Sequence, residues 1–310
     1  MKVLTIGEIL VEIVATTKGD GFLDAQPLHG PYPSGAPAIF IDQVGKLGVP
    51  CAILSRVGDD DFGTLNLRRL QTDGVDTSGI AVAQGEATGS AFVRYRDDGS
   101  RRFVFNISGS ACGRLEETAA ATALIAQSTH LHLMGSALSA PGMRALALSA
   151  LKRIKAQGGT VSFDPNLRRE LLGAPGVMEA LAQALEHTDI FLPSGEELYL
   201  FTQAQTEDAA IAELLRRGIG EIVLKRGDKG ASCFSRSERL DVAPLAVEEK
   251  DPTGAGDSFG GAYIALRLGG ETAERALRLA NAAGARAVTL LGPMEGTSTL
   301  AELHTLLGEN

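Results

Sequence analysis

The chain has 310 residues, 44% of them apolar, which is enough to bury a large core and argues for one sizeable folded domain rather than a disordered segment. A formal charge of -9 and a pI near 5.2 leave no basic stripe to follow a nucleic-acid backbone or an anionic membrane, so the expected partners are small molecules or further copies of the chain. Cys51, Cys112 and Cys233 lie far apart without a CxxC pair, against a disulfide framework or a zinc site, and a reducing cytoplasm is the expected location.

The opening "MKVLTIGEILVEIV" is interrupted by Glu8 and Glu12 and reads as a first strand rather than a leader, and no apolar run is long enough for a membrane span. Further strands are expected at "CAILSRVG", "THLHLMG", "GTVSFD", "DIFLP" and "EIVLKRG". Helix-period segments separate them, for example "PGMRALALSALKRIKAQGG", with Pro141 placed to start it and Gly158 to stop it. This βα alternation predicts an α/β fold, a mainly parallel sheet with helices on both faces. One stretch breaks the rhythm: "TGSAFVRYRDDGSRRFVFN" reads as an antiparallel hairpin around "DDGS". With the irregular stretch from Val14 to Ser34 it would form a small sheet, a lid over a cleft, so the expected organisation is one domain over 1–310 with lid segments at roughly 14–34 and 88–108.

"DPTGAGDSFGGAYIALRLGG" has the layout of a glycine turn leading into a helix. The amides of Ala255, Gly256 and Asp257 would form the first helical turn, open to an anion, and Gly254 and Gly256 keep side chains out of its way. Asp257 opposes anion binding in the ground state but can take the proton of a hydroxyl that attacks a phosphoryl group, which makes it a candidate general base. As a bland alternative, Asp257 would be a solvated carboxylate favoured by the helix dipole. A dinucleotide fingerprint is misplaced, since "TIGEIL" has one glycine, and no Walker loop occurs. His130 and His132 share a strand face but lack a third metal ligand, and Asp59, Asp60 and Asp61 lack the alternating oxygens of a calcium loop.

"DPTGAGDSFGGAYI" resembles the C-terminal motif of the ribokinase-like (PfkB) carbohydrate kinases, and "GEILVE", "SGAPAIFIDQVGKLG", "RVGDDDFG", "FDPNLR", "PSGEEL", "LKRGDKGA" and "ANAAGA" follow in family order. The resemblance implies a three-layer α/β sandwich with a small β lid, and ATP and Mg²⁺ as cofactors, with K⁺ left open. It places Asp257 on the catalytic base and Gly254, Ala255 and Gly256 on the anion hole. Glu197 falls on a glutamate that organises the metal, although Ser194 stands where the family has asparagine. Lys225, Gly227 and Gly230 resemble the nucleotide-side loop, and Asn281 the adenine neighbourhood. Asp164, Asn166 and Arg168 of "DPNLR" would meet substrate or phosphate, Arg168 as a planar fork.

On the sugar side the resemblance implies contacts at Glu12, Gly35, Ala36 and Ile39; Ile39 replaces an asparagine, and Glu12 an aspartate of many fructokinases. In 2-keto-3-deoxygluconate kinases a carboxylate-binding arginine aligns with Ile107, so that positive partner is missing unless Arg94, Arg96 or Arg102 replaces it. The expected activity is therefore transfer of the ATP γ-phosphoryl group to a primary hydroxyl of a neutral ketohexose, tagatose- or fructose-like. A sugar-acid kinase is the alternative, a non-catalytic sensor or a nucleoside kinase more distant ones. Exposed lid edges suggest a homodimer through the lid.

Overall fold

The computed structural model describes residues 2–166 and 175–309. Among these, nine strands form one sheet: β1 (Val3–Ile6), β4 (Cys51–Gly58), β5 (Ile80–Ala83), β8 (His130–Met134), β9 (Thr160–Asp164), β10 (Ile190–Phe191), β11 (Glu221–Lys225), β12 (Ala231–Phe234) and β13 (Arg239–Val242). Their order is β13-β12-β11-β10-β9-β8-β1-β4-β5. Every pairing from β5 to β11 is parallel, whereas β12 and β13 turn back antiparallel at one edge. All six strand segments read from the sequence are present. The three not read, β5, β12 and β13, lie at or next to the sheet edges and have four residues each, too short to show a period.

Side-chain alternation sends neighbouring residues of each strand into two cores. Leu4, Ile6, Ala52 and Leu54 face α3 (Ala119–Gln127), α4 (Pro141–Ala156), α5 (Val177–Glu186) and α6 (Glu207–Arg216). Val3, Cys51 and Ile53 face α1 (Ala36–Lys46), α2 (Asp61–Thr72), α7 (Ala255–Leu268), α8 (Ala273–Ala287) and α9 (Leu300–Leu306). The result is three layers. Pro141 occupies the first position of α4, where its missing N–H costs nothing, and Gly158 follows the helix at φ 78°.

A second sheet has the order β3-β2-β6-β7, from β2 (Leu10–Ala15), β3 (Leu28–Ser34), β6 (Gly89–Tyr95) and β7 (Arg101–Asn106). The hairpin β6–β7 is the antiparallel pair expected around "DDGS", and β2 begins at Leu10, ahead of Val14. Asp60 caps α2 by accepting from Gly63 N at 2.8 Å, and it also accepts from Thr88 N at 2.8 Å, just before β6. Within the acidic triplet, Asp60 thus serves as a helix cap that ties down the base of the small sheet.

His130 and His132 lie wholly buried on β8. His130 bonds Thr160 Oγ1 and Ser162 Oγ at 2.8 Å each, and His132 bonds the same serine at 2.7 Å and stacks on Phe40. They form a packed polar seam, and among the described residues no group of three or more His, Cys, Asp or Glu gathers for a metal.

Candidate active site

A cleft of about 1030 Å³ opens between the small sheet and the carboxyl ends of the parallel strands. Glu8 follows β1, Asp164 ends β9, Ser194 follows β10 and Lys225 ends β11, so the main-sheet side is built where parallel strands release their chains toward helix N-termini. The opposite wall comes from β2 and from the hairpin β6–β7, chiefly Arg96, Arg101, Phe103 and Phe105.

Helix α7 aims its N-terminus into this space. Ser258 N makes the first regular bond of the helix, to Gly254 O at 2.8 Å, so the amides of Gly256 and Asp257 precede the ladder. Gly254 is the N-cap at φ 82°, and a Cβ there would stand 2.4 Å from Pro293 O, so both conformation and space demand glycine. Gly35 has the same role before α1: at φ 112° it sits against the Glu8 carbonyl, 2.4 Å from where a Cβ would be. The two turns bring backbone, not side chains, to the cleft.

The floor is an ionic network. Lys225 Nζ donates to Asp164 Oδ2, and Asn166 Nδ2 donates to Asp257 Oδ1 at 2.9 Å. Asn166 is itself fixed by its backbone N–H, which donates to Asp164 Oδ1 at 3.1 Å. Burial would lower the Lys225 ammonium, but Asp164, Glu197 and Asp257 outweigh it and hold the group above the ordinary lysine value, fully charged at neutral pH. Glu197 accepts from Ser194 N at 2.7 Å, which fixes one carboxylate oxygen in the turn after β10. The donor set suits a magnesium ion carried on nucleotide phosphates, which takes one or two carboxylates rather than a protein cage, and Glu197 and Asp164 are the carboxylates in place.

Of the residues picked from the sequence, Glu12, Gly35, Ala36, Ile39, Arg96, Arg102, Asp164, Asn166, Ser194, Glu197, Lys225, Gly254, Gly256 and Asp257 line the same cleft, with Ala255 as the first residue of α7. Others sit elsewhere. Arg94 spends its guanidinium on the carbonyls of Thr17, Lys18 and Gly21, where it folds the loop after β2. Ile107 packs against the α3–α6 core, because the chain has left the small sheet by then. Asn281 is turned to Ala243 O at 3.0 Å, and Gly227 and Gly230 shape the turn between β11 and β12; none of the three lines the cleft. Arg168 lies outside the described residues. Among residues that the sequence did not single out for the cleft, Glu8 is 2% exposed and Asp251 wholly buried. Glu8 was visible as an acid breaking an apolar strand, and Asp251 as the acid that opens the glycine turn.

A family model described as "pfkB family carbohydrate kinase" matches residues 1–300. The chain is 34% identical to a fructokinase of Escherichia coli over 312 residues, 98% of each chain. It superposes with a TM-score of 0.93 on an Escherichia coli protein, solved with ATP and Mg²⁺ under the name "putative Ribokinase II", at 51% identity over 99% of both chains. A double mutant of fructokinase from Vibrio cholerae O395, in fructose, ADP and potassium ion bound form, gives 0.83 at 27% identity over 99% of this chain and 98% of its own. With its ribokinase-like fold and a family match over residues 1–300, the chain belongs to the pfkB family of carbohydrate kinases and is a phosphotransferase with an alcohol group as acceptor.

Proposed function

We propose that the acceptor is a primary hydroxyl of a neutral ketohexose, fructose- or tagatose-like, and that Asp257 is the general base. The observation that carries this reading is the meeting of Asp257, the α7 amides and Lys225 with Glu8, Glu12 and Gly35 in a single cleft. Glu8 and Glu12, 2% and 3% exposed, are hydrogen-bond acceptors for sugar hydroxyls and would repel a substrate carboxylate. Arg94 is held by backbone carbonyls, whereas Arg96, paired with Asp20, and Arg102 line the cleft, so the case for a neutral substrate rests on the two buried acids. A neutral polyol fits that end of the cleft better than a sugar acid.

In this reading the sugar hydroxyl lies against Asp257, whose orientation Asn166 maintains. As the hydroxyl oxygen bonds to the γ-phosphorus, its proton passes to the Asp257 carboxylate and the bond from phosphorus to the β–γ bridging oxygen breaks. The amides of Gly256 and Asp257 hold the charge on the transferring oxygens, and Lys225 supplies a fixed positive charge close to Gly256. Bound magnesium would neutralise phosphate charge at Glu197 and Asp164. The small sheet excludes water, which could otherwise accept the phosphoryl group.

The edge strand β7, with Val104 52% exposed, supports a homodimer through the lid, which light scattering would test against a monomer. The three cysteines are buried and unpaired, which suits a reducing cytoplasm, and no helix among the described residues is long and apolar enough to cross a membrane. The acceptor is tested by sugar-dependent ADP release from Mg-ATP, with and without K⁺, across D-fructose, D-tagatose, D-psicose, D-ribose and 2-keto-3-deoxygluconate. A kcat/KM at least about tenfold higher for one ketohexose supports the reading; preference for the keto acid overturns it.

A further inference from the structure

The last cross-strand pair of the β6–β7 hairpin, Tyr95 opposite Arg101, reaches across the cleft to the phosphate side. Tyr95 Oη donates to Asp251 Oδ1 at 2.5 Å, and Arg101 Nη1 donates to Thr253 Oγ1 at 3.0 Å. Asp251 is wholly buried, and its carboxylate also accepts from Thr253 N at 3.0 Å and Gly292 N at 3.1 Å. Those amides belong to the two segments that make the anion turn, because Gly254 packs on Pro293. Tyr32 of β3 stands on the other side of this joint, against Gly292. Burial, and then Asp251, push the Tyr95 phenol well above its ordinary value, so it remains a donor.

We propose that Tyr95 is a positioning residue for phosphoryl transfer: through Asp251 it sets the Thr253–Asp257 turn, and with Arg101 it clasps the lid to the anion hole. A buried carboxylate held by three neutral donors, one of them from the lid, is a joint whose geometry depends on the lid being seated. The clasp lies on the phosphate side and touches neither Glu8 nor Glu12, so its loss acts on turnover and not on sugar affinity. The proposal rests on the reading of Gly254–Asp257 as the anion hole.

Tyr95→Phe removes the hydroxyl and keeps the ring. Hydrogen exchange at the amides of Thr253 and Gly292 should quicken by about tenfold or more, with kcat on the preferred sugar falling about tenfold while its KM stays within about twofold. Unchanged exchange, or a raised sugar KM at constant kcat, overturns the proposal. Arg101→Leu, at an exposed position that does not threaten the fold, should lower kcat about threefold with the same unchanged KM; wild-type kcat there overturns the clasp. A wild-type enzyme inactive on every ketohexose would refute the acceptor reading alone, since the exchange measurement needs no sugar.

Discussion

Replacing Asp257 by asparagine separates chemistry from binding. The carboxylate is 8% exposed and its Oδ1 accepts from Asn166 Nδ2 at 2.9 Å. An asparagine keeps that bond by turning its oxygen to Asn166, which leaves its NH₂ group facing the acceptor hydroxyl: a donor where the reaction needs a proton acceptor. The loss of base catalysis is worth about 10²–10⁴-fold in kcat, roughly 2.7–5.5 kcal/mol of barrier. Nucleotide affinity should move the other way. Two like charges about 4 Å apart repel by about 4 kcal/mol at an effective dielectric near 20, before salt and counter-ions reduce it. ATP should therefore bind Asp257→Asn as tightly as wild type or more so. Lys225 retains Asp164, so the fold should survive. The assay pairs steady-state ADP release with calorimetric titration of ATP. Turnover within about threefold of wild type would refute the base assignment, and lost ATP binding would make Asp257 a structural residue.

Lys225→Met leaves Asp164, 1% exposed, without its cation and should destabilise the protein by about 3–5 kcal/mol in urea unfolding. Gly254→Ala meets Pro293 O and a φ of 82°, and should cost about 1–3 kcal/mol and most of the activity, read by thermal melting and ADP release. Burial lowers His130 from 6.5 to about 4 and lowers His132 in the same direction. The unfolded chain then binds protons first as pH falls, so stability is full above about 6.5 and declines toward 4, by up to roughly 3 kcal/mol for His130. Burial pushes Asp42 up to about 7, despite the pull of Arg69, so this group opposes the trend, its contribution being lost as pH rises toward 7. Melting temperature across pH 4–7 should flatten in His130→Asn and steepen in Asp42→Asn.

The parallel strands were legible because each is an apolar run bounded by turn residues, and the anion turn because glycine spacing before an amphipathic helix has few other uses. Glu12, Gly35 and Ile39 line the cleft because Glu12 lies on a strand of the small sheet and the other two stand at the start of α1, where register leaves little freedom. Arg94 and Asn281 did not, for a shared physical reason. A long or polar side chain takes the nearest backbone acceptor, here the loop at Gly21 and the carbonyl of Ala243, and sequence does not say which acceptor lies near. The pairing of Tyr95 with Asp251 was illegible for the converse reason: 156 positions separate them, and only the docking of one sheet against the other joins them.

The position of the phosphate on the product tests the central claim most directly. With a ketohexose and Mg-ATP, carbon NMR of the product should show phosphorus coupling at a terminal methylene carbon, as expected of a primary hydroxyl placed against Asp257. A product in which neither terminal methylene carbon couples to phosphorus, or phosphorylated product from the keto acid alone, would contradict the account.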